Sequence, residues 1–209
     1  MHPNPIFRKT ENDHSIAFVR ARSFGVLSIN AENGPLISHV PFLLSDDTQT
    51  VDLHLVRSNP IARALPAQAV IAVQGPDSYI SPDWYGVDDQ VPTWNYVAVH
   101  LRGQLELRPQ EELHALLDRQ SAHFETQLSP KKPWTSDKMS EGVMERMMRA
   151  IVPVRLHVTE MHSTWKLNQN KTDDARLRAA EHVSTFGIGT DLGQLSDWMA
   201  SPPDQGMSG

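Results

Sequence analysis

Two apolar runs separated by Asn33-Gly34 set the first constraint on this chain. Asn-Gly suits a two-residue hairpin turn, because both central residues of such a turn take a positive φ. The runs at 26–29 and 36–44 are therefore predicted as an antiparallel pair. Ser45-Asp46-Asp47-Thr48 supplies the next turn. A third strand follows, with Val51, Leu53 and Leu55 on one face and Asp52, His54 and Val56 on the other. Further strands are predicted over 69–73, ending at Gly75-Pro76, over 94–107 and over 154–159. Pro41 marks an edge or bulge in the second strand, and Gly103 a bulge or close approach in the fifth. Strands that follow one another with few helices between them exclude a doubly wound α/β sheet. They indicate a mainly β chain with added helices, folded as an antiparallel barrel.

The helices are predicted around that barrel. Thr10-Glu11-Asn12-Asp13 opens one over 10–23, with Ile16, Ala17, Val19 and Phe24 as its apolar set. Asn59-Pro60 opens a short one whose Ile61, Ala64 and Leu65 face the core. Segments 110–128 and 137–150 form a helical insertion, and 172–183 a polar helix. Leu192, Leu195, Trp198 and Met199 give the C-terminal stretch a surface for partial docking. Residues 76–92 and 165–171 read as loops, residues 1–200 as one domain, and residues 201–209 as a disordered tail.

Composition narrows the function. The net charge is −6 over 209 residues, which gives a nucleic-acid partner no support in bulk charge. The chain has no cysteine, so disulfides and thiolate chemistry are excluded, and a cytoplasmic location is expected. No apolar run approaches the ~20 residues of a membrane helix. There is no HExxH, no GxGxxG, no P-loop and no nucleophile elbow, and no metal site is expected.

Four segments carry candidate chemistry. In Leu55-Val56-Arg57-Ser58-Asn59-Pro60, with Arg63 one turn on, a strand gives way to a helix; amides, a hydroxyl and guanidinium groups there suit a phosphate monoester. A capped helix with a solvated arginine accounts for the same residues. Ser38-His39-Val40-Pro41 offers a strand with backbone groups left open beside Pro41, or simply a half-exposed barrel histidine. Val91-Pro92-Thr93-Trp94-Asn95-Tyr96, with Tyr79, Trp84 and Tyr85, suits a flat hydrogen-bonding ring, and equally a barrel plug or a dimer contact. Trp165-Lys166-Leu167-Asn168-Gln169-Asn170-Lys171 is dense in donors, and also reads as a solvated turn. No acid or base is clearly placed for catalysis.

Taken in order, Ser38 to Leu44, His54 to Pro60, Gly75 to Tyr85, Val91 to His100 and Trp165 to Lys171 resemble the PaiB family of FMN-binding split-barrel proteins. The resemblance covers residues 1–180. It implies a split β-barrel related to pyridoxamine-phosphate oxidase-like flavoproteins, with FMN held non-covalently at a homodimer interface. It places the flavin phosphate near His54, Leu55, Val56, Arg57, Ser58, Asn59, Pro60 and Arg63, and runs Ser38, His39, Val40 and Pro41 beside the flavin. Trp94, Asn95 and Tyr96 then approach from the second subunit, and Lys166, Gln169 and Asn170 complete the expected contacts. Three departures stand out: His2 where the family favours tyrosine, a short loop between Tyr85 and Val91, and no glycine in the helix after Lys171. The family is described as negative transcriptional regulators, which makes a regulator the first expectation, with direct DNA contact unsupported by charge. A flavin-dependent oxidoreductase using a nicotinamide donor is the alternative, and a haem-handling split barrel the second alternative.

Overall fold

A computed structural model describes residues 2–204. Its strands are β1 (Phe24–Ile29), β2 (Leu36–Leu44), β3 (Thr50–Val56), β4 (Ala67–Ile80), β5 (Thr93–Leu107), β6 (Ile151–Lys166) and the short β7 (Gly189–Thr190). The hydrogen-bonded order is β1-β2-β3-β6-β5-β4, and β4 pairs back to β1. Six antiparallel strands therefore close into a barrel, which leaves no free edge around the ring. β7 adds outside it, with Asp77 opposite Thr190. The helices are α1 (Asn12–Arg22), α2 (Pro60–Arg63), α3 (Leu113–Glu125), α4 (Val143–Met148), α5 (Asp173–Phe186) and α6 (Leu192–Ala200).

Packing divides the chain into two compact units. A hairpin unit holds residues 20–72 and 101–161, and a helical unit holds the residues up to 19, 73–100 and those from 162 onward. In the hairpin unit, β1 and β2 pair with Val26 opposite His39 and Ser28 opposite Ile37, while β3 pairs β6 with Leu53 opposite Val154. Alternation sends Leu27, Ile29, Val40, Phe42, Val51, Leu53 and Leu55 into the core. Each such side chain contributes about 1.5–3 kcal/mol of apolar burial. Gly103 marks the close approach expected of it: a Cβ there would lie 1.8 Å from the His157 carbonyl oxygen. In the helical unit, Tyr85, Trp165 and Leu167 pack with Ala179 and Val183 of α5 and Leu195 and Met199 of α6. The Trp165 indole donates to Ser15 Oγ at 3.0 Å, and Phe18 meets Trp165 and Trp198 edge-on. The expected docking of the C-terminal stretch is thus made by α6.

Several boundaries differ from the sequence reading. β4 does not stop at Gly75-Pro76 but runs to Ile80. β1 pairs it at 69–72 and β7 at 77–78, so Pro76 falls between partners on that edge, where a missing amide costs least. β6 spans Ile151–Lys166 rather than 154–159, because pairing carries it through a polar stretch with no apolar alternation. Trp165 and Lys166 therefore end a strand rather than sit in a loop. The segment 137–150 is helical only at Val143–Met148 after a one-turn stretch at Ser136–Lys138; Gly142 at φ 71° breaks it. Residues 82–85, expected as loop, form a tight 3-10 turn. In α1 the inward face is Ser15, Phe18 and Val19, one helical turn apart, so Ala17 points out. Phe24 faces outward at the start of β1, and Ala64 is exposed beyond the end of α2. Asp204 accepts from the Glu11 amide at 3.2 Å, and residues 205–209 of the expected tail lie outside the described residues.

Candidate functional site

In the hairpin unit the chain leaves β3 at Val56 and turns into α2. Asn59 organises the turn. Its amide donates to the Val56 carbonyl at 2.8 Å, its Oδ1 accepts from the Ile61 amide at 2.9 Å, and its Nδ2 donates to Ser38 Oγ at 2.7 Å. One helix-start amide is therefore satisfied internally, and Ser38 is tied to the turn across β2. His54 Nδ1 lies 2.9 Å from Gln120 Oε1, which places the ring proton on Nδ1, and Gln120 Nε2 donates to the Pro41 carbonyl. Pro41 thus leaves its flank open to β3, as expected, but a buried glutamine of α3 fills it. Pairing between β2 and β3 begins only at Phe42. Gln120 escaped the sequence reading because a lone polar residue on a helix carries no motif.

The two arginines of this region differ. Arg57 is held: Nε donates to the Arg149 carbonyl at 3.2 Å, and Nη2 to Gln110 Oε1 at 2.9 Å. Arg63 and Ser58 are exposed, and neither side chain enters a hydrogen bond or ion pair among the described residues. Val40 and Leu55 point into the core and offer a ligand only their backbone. His39 lies on the outward face, stacked against Phe24 at 6.5 Å between centroids. Ile37 and Val56 are 58% and 54% exposed, a large apolar area to leave on strands. Pro60 occupies the first turn of α2, where it needs no amide partner.

The remaining expected contacts lie in the helical unit. Trp94 is 47% exposed and meets Tyr79 edge-on at 6.4 Å. Asn95 is fully buried; its Nδ2 lies 3.3 Å from Met199 Sδ and its Oδ1 has no partner. Tyr96 is half-buried, and burial raises its phenol pKa. Lys166 donates to Thr93 Oγ1. Gln169 spends both ends on its own turn, accepting from the Leu167 amide and donating to the Trp165 carbonyl. Asn170 is exposed. Asn168, part of the candidate segment 165–171 but not named among the expected contacts, is buried at φ 65°, accepts from the Tyr85 hydroxyl and has an unpartnered Nδ2. Lys171, the last residue of that segment, donates to Gln90 Oε1. Among the described residues no group of histidines and carboxylates could hold a metal ion, and no helix is long and apolar enough to cross a membrane.

A flavin mononucleotide asks for a cation and hydroxyl at its phosphate, and apolar surface with backbone groups along its ring. The hairpin unit has an unspent guanidinium at Arg63, a free hydroxyl at Ser58 and exposed apolar surface at Ile37 and Val56, so these residues fit the group.

Comparison with known proteins bears on the cofactor and the fold. The model of a family described as "Putative FMN-binding domain" matches residues 1–160. The chain is 29% identical over 181 residues to the Bacillus subtilis protein named protease synthase and sporulation protein PAI 2, covering 85% of this chain and 86% of that one. It is 27% identical over 229 residues to an uncharacterized protein of Aspergillus fumigatus, covering 84% and 88%. Among solved structures, the flavocytochrome Anf3 from Azotobacter vinelandii superposes with a TM-score of 0.57 at 13% identity, over 90% of this chain and 81% of that one. The FAD and heme binding protein from Mycobacterium smegmatis gives 0.55 at 14%, over 77% and 73%. At such identities these two show the fold alone.

Proposed function

Since the chain belongs to the PaiB-type family of FMN-binding split barrels, we propose that it holds one FMN per chain at a homodimer interface and acts as a flavin-responsive regulator. The observation that carries the flavin site is the contrast between Arg57, spent on the protein's own carbonyls, and Arg63, left without a partner one turn along. Arg63 and Ser58 hold the phosphate by charge-assisted hydrogen bonds. The backbone of Ser38, His39, Val40 and Pro41 orients the ring, and His54, fixed by Gln120, lines the strand beside it. When bound, FMN supplies hydride or single-electron transfer; the protein's own groups bind, orient and exclude water.

The dimer is supported by the outward face of β1 and β2, where Phe24 and Ile37 stand exposed beside His39. Trp94 and Tyr96 of the second copy are proposed to cover the ring. The regulatory role draws on the relative named for protease synthesis and sporulation. With a net charge of −6, the output is proposed to pass through a partner rather than through direct DNA contact. A cytoplasmic location accords with the lack of cysteine. A second reading, oxidoreduction with a nicotinamide donor, is favoured by one observation: two lysines of the helical unit without acidic partners.

Mass identification of the cofactor released from purified protein, with light scattering of the holo form, tests the proposal. FMN at one per chain in a dimer is expected. A colourless monomer that refuses added FMN would overturn it, and a Soret band would redirect the site to haem.

A further inference from the structure

We propose that Lys166 and Lys171 form an anion site in the helical unit, built for a phosphate-bearing ligand. Both side chains are half-buried. Lys166 donates to Thr93 Oγ1 and has its ammonium 5.9 Å from the Phe7 ring centroid. Lys171 donates to Gln90 Oε1 and stands 4.9 Å from the centre of the Tyr85 ring. Every one of these partners is neutral. Among the described ion pairs neither lysine meets a carboxylate, and the nearby Asp88 and Asp89 are exposed and unpaired as well. Burial lowers the Lys166 pKa, and the charge of Lys171 lowers it further, so the two ammonium groups feel one another.

Half-buried charges are ordinarily paired, because a charge withdrawn from water without a counter-ion raises the free energy of the fold. Two half-buried cations at the ends of one short turn, each on neutral acceptors, are the reverse of that rule. The turn between them adds a second unspent group. Asn168 sits in it at φ 65°, 2% exposed, with Nδ2 lacking any partner. Gln169 bonds back to Trp165 and Leu167 and so keeps the turn in shape. The site therefore presents two cations at the ends of a braced turn whose buried Asn168 keeps an unpaired amide, which fits a multiply charged anion of the phosphate or pyrophosphate class.

The same chemistry has two sources: the phosphate of FMN itself, or a separate phosphate-bearing ligand such as a dinucleotide. The separate ligand is the one proposed, which rests on the proposed function, where Arg63 and Ser58 take the flavin phosphate in the hairpin unit. The test is calorimetric titration of the FMN-loaded protein with inorganic pyrophosphate at fixed ionic strength. Saturable binding is expected, weakened at least ~10-fold in Lys171→Gln and in Lys166→Met. Lys171→Arg should recover it to within ~3-fold, which keeps the test open if a neutral variant misfolds, and Lys131→Gln should leave it unchanged. FMN affinity should hold in Lys171→Gln and fall in Arg63→Ala, whose pyrophosphate binding persists. No saturable binding by the wild type, or equal loss in Lys131→Gln, overturns the site. Loss of FMN affinity together with pyrophosphate binding in Lys171→Gln assigns it to the flavin and overturns the separate ligand.

Discussion

Two charge clusters in this chain use similar side chains to opposite ends. In the hairpin unit, Asp52 is gripped by Arg155, with Nε 2.6 Å from Oδ1 and Nη2 2.9 Å from Oδ2, and Arg119 joins at 3.1 Å. In the helical unit, Lys166 and Lys171 meet only a hydroxyl, an amide and two rings. A two-pronged guanidinium-carboxylate pair fixes the register between β3 and β6, where Asp52 stands opposite Arg155. A lysine pair with no carboxylate fixes little and leaves charge unspent. The contrast separates cations that belong to the fold from cations available to a ligand, and it recurs between Arg57 and Arg63.

The largest expected effect tests the first half of that contrast. Asp52→Ala strands the half-buried Arg155 and should cost about 2–3 kcal/mol in urea unfolding. A loss near zero would reduce the cluster to solvated surface charge. Next, Arg63→Ala should weaken FMN binding by about 1–3 kcal/mol with little change in stability, whereas Arg57→Ala should cost about 1 kcal/mol of stability with a smaller effect on FMN. Reversed roles would break the reading of which arginine is free. Lys166→Met should leave the fold as stable or more stable by up to ~1 kcal/mol, since it removes a desolvated charge. The sign with pH follows. The folded state holds the Lys166 proton less tightly than the ordinary lysine value of 10.5. Its penalty is thus fully present at low pH, and stability rises as pH climbs from the folded value toward the ordinary one. That alkaline rise should vanish in Lys166→Met. The smallest effect belongs to Arg119→Ala, at about 0.5 kcal/mol, because its side chain is 54% exposed.

Much of the fold was legible because strand alternation and turn chemistry agree locally. The β3 pattern and the close approach at Gly103 are followed by the structure. Asn33-Gly34 does reverse the chain, but Ile29 stands opposite Leu36, so the connection is the longer loop 30–35 with Gly34 at φ 105° rather than a two-residue turn. The overruns of β4 and β6 were not legible, since pairing with neighbours carried them through Gly75-Pro76 and through a polar stretch where no local preference speaks for a strand. The site was legible as segments and not as partners. Residue types mark Arg57 and Arg63 as equals; only the carbonyls of Arg149 and the amide of Gln110 reveal that one is spent. Gln120 came from outside the motifs, and Asn168 sat inside one without being singled out, because long-range contacts, and not spacing, give them their roles.

The central claim is that the free Arg63 guanidinium anchors the phosphate of FMN. The most direct measurement compares FMN with riboflavin, its phosphate-free counterpart, by quenching of flavin fluorescence on titration with wild type and Arg63→Ala. FMN is expected to bind the wild type roughly 5- to 150-fold more tightly than riboflavin, with that preference largely lost in Arg63→Ala. Equal affinities for the two flavins in the wild type, or a preference that survives Arg63→Ala intact, would contradict the account.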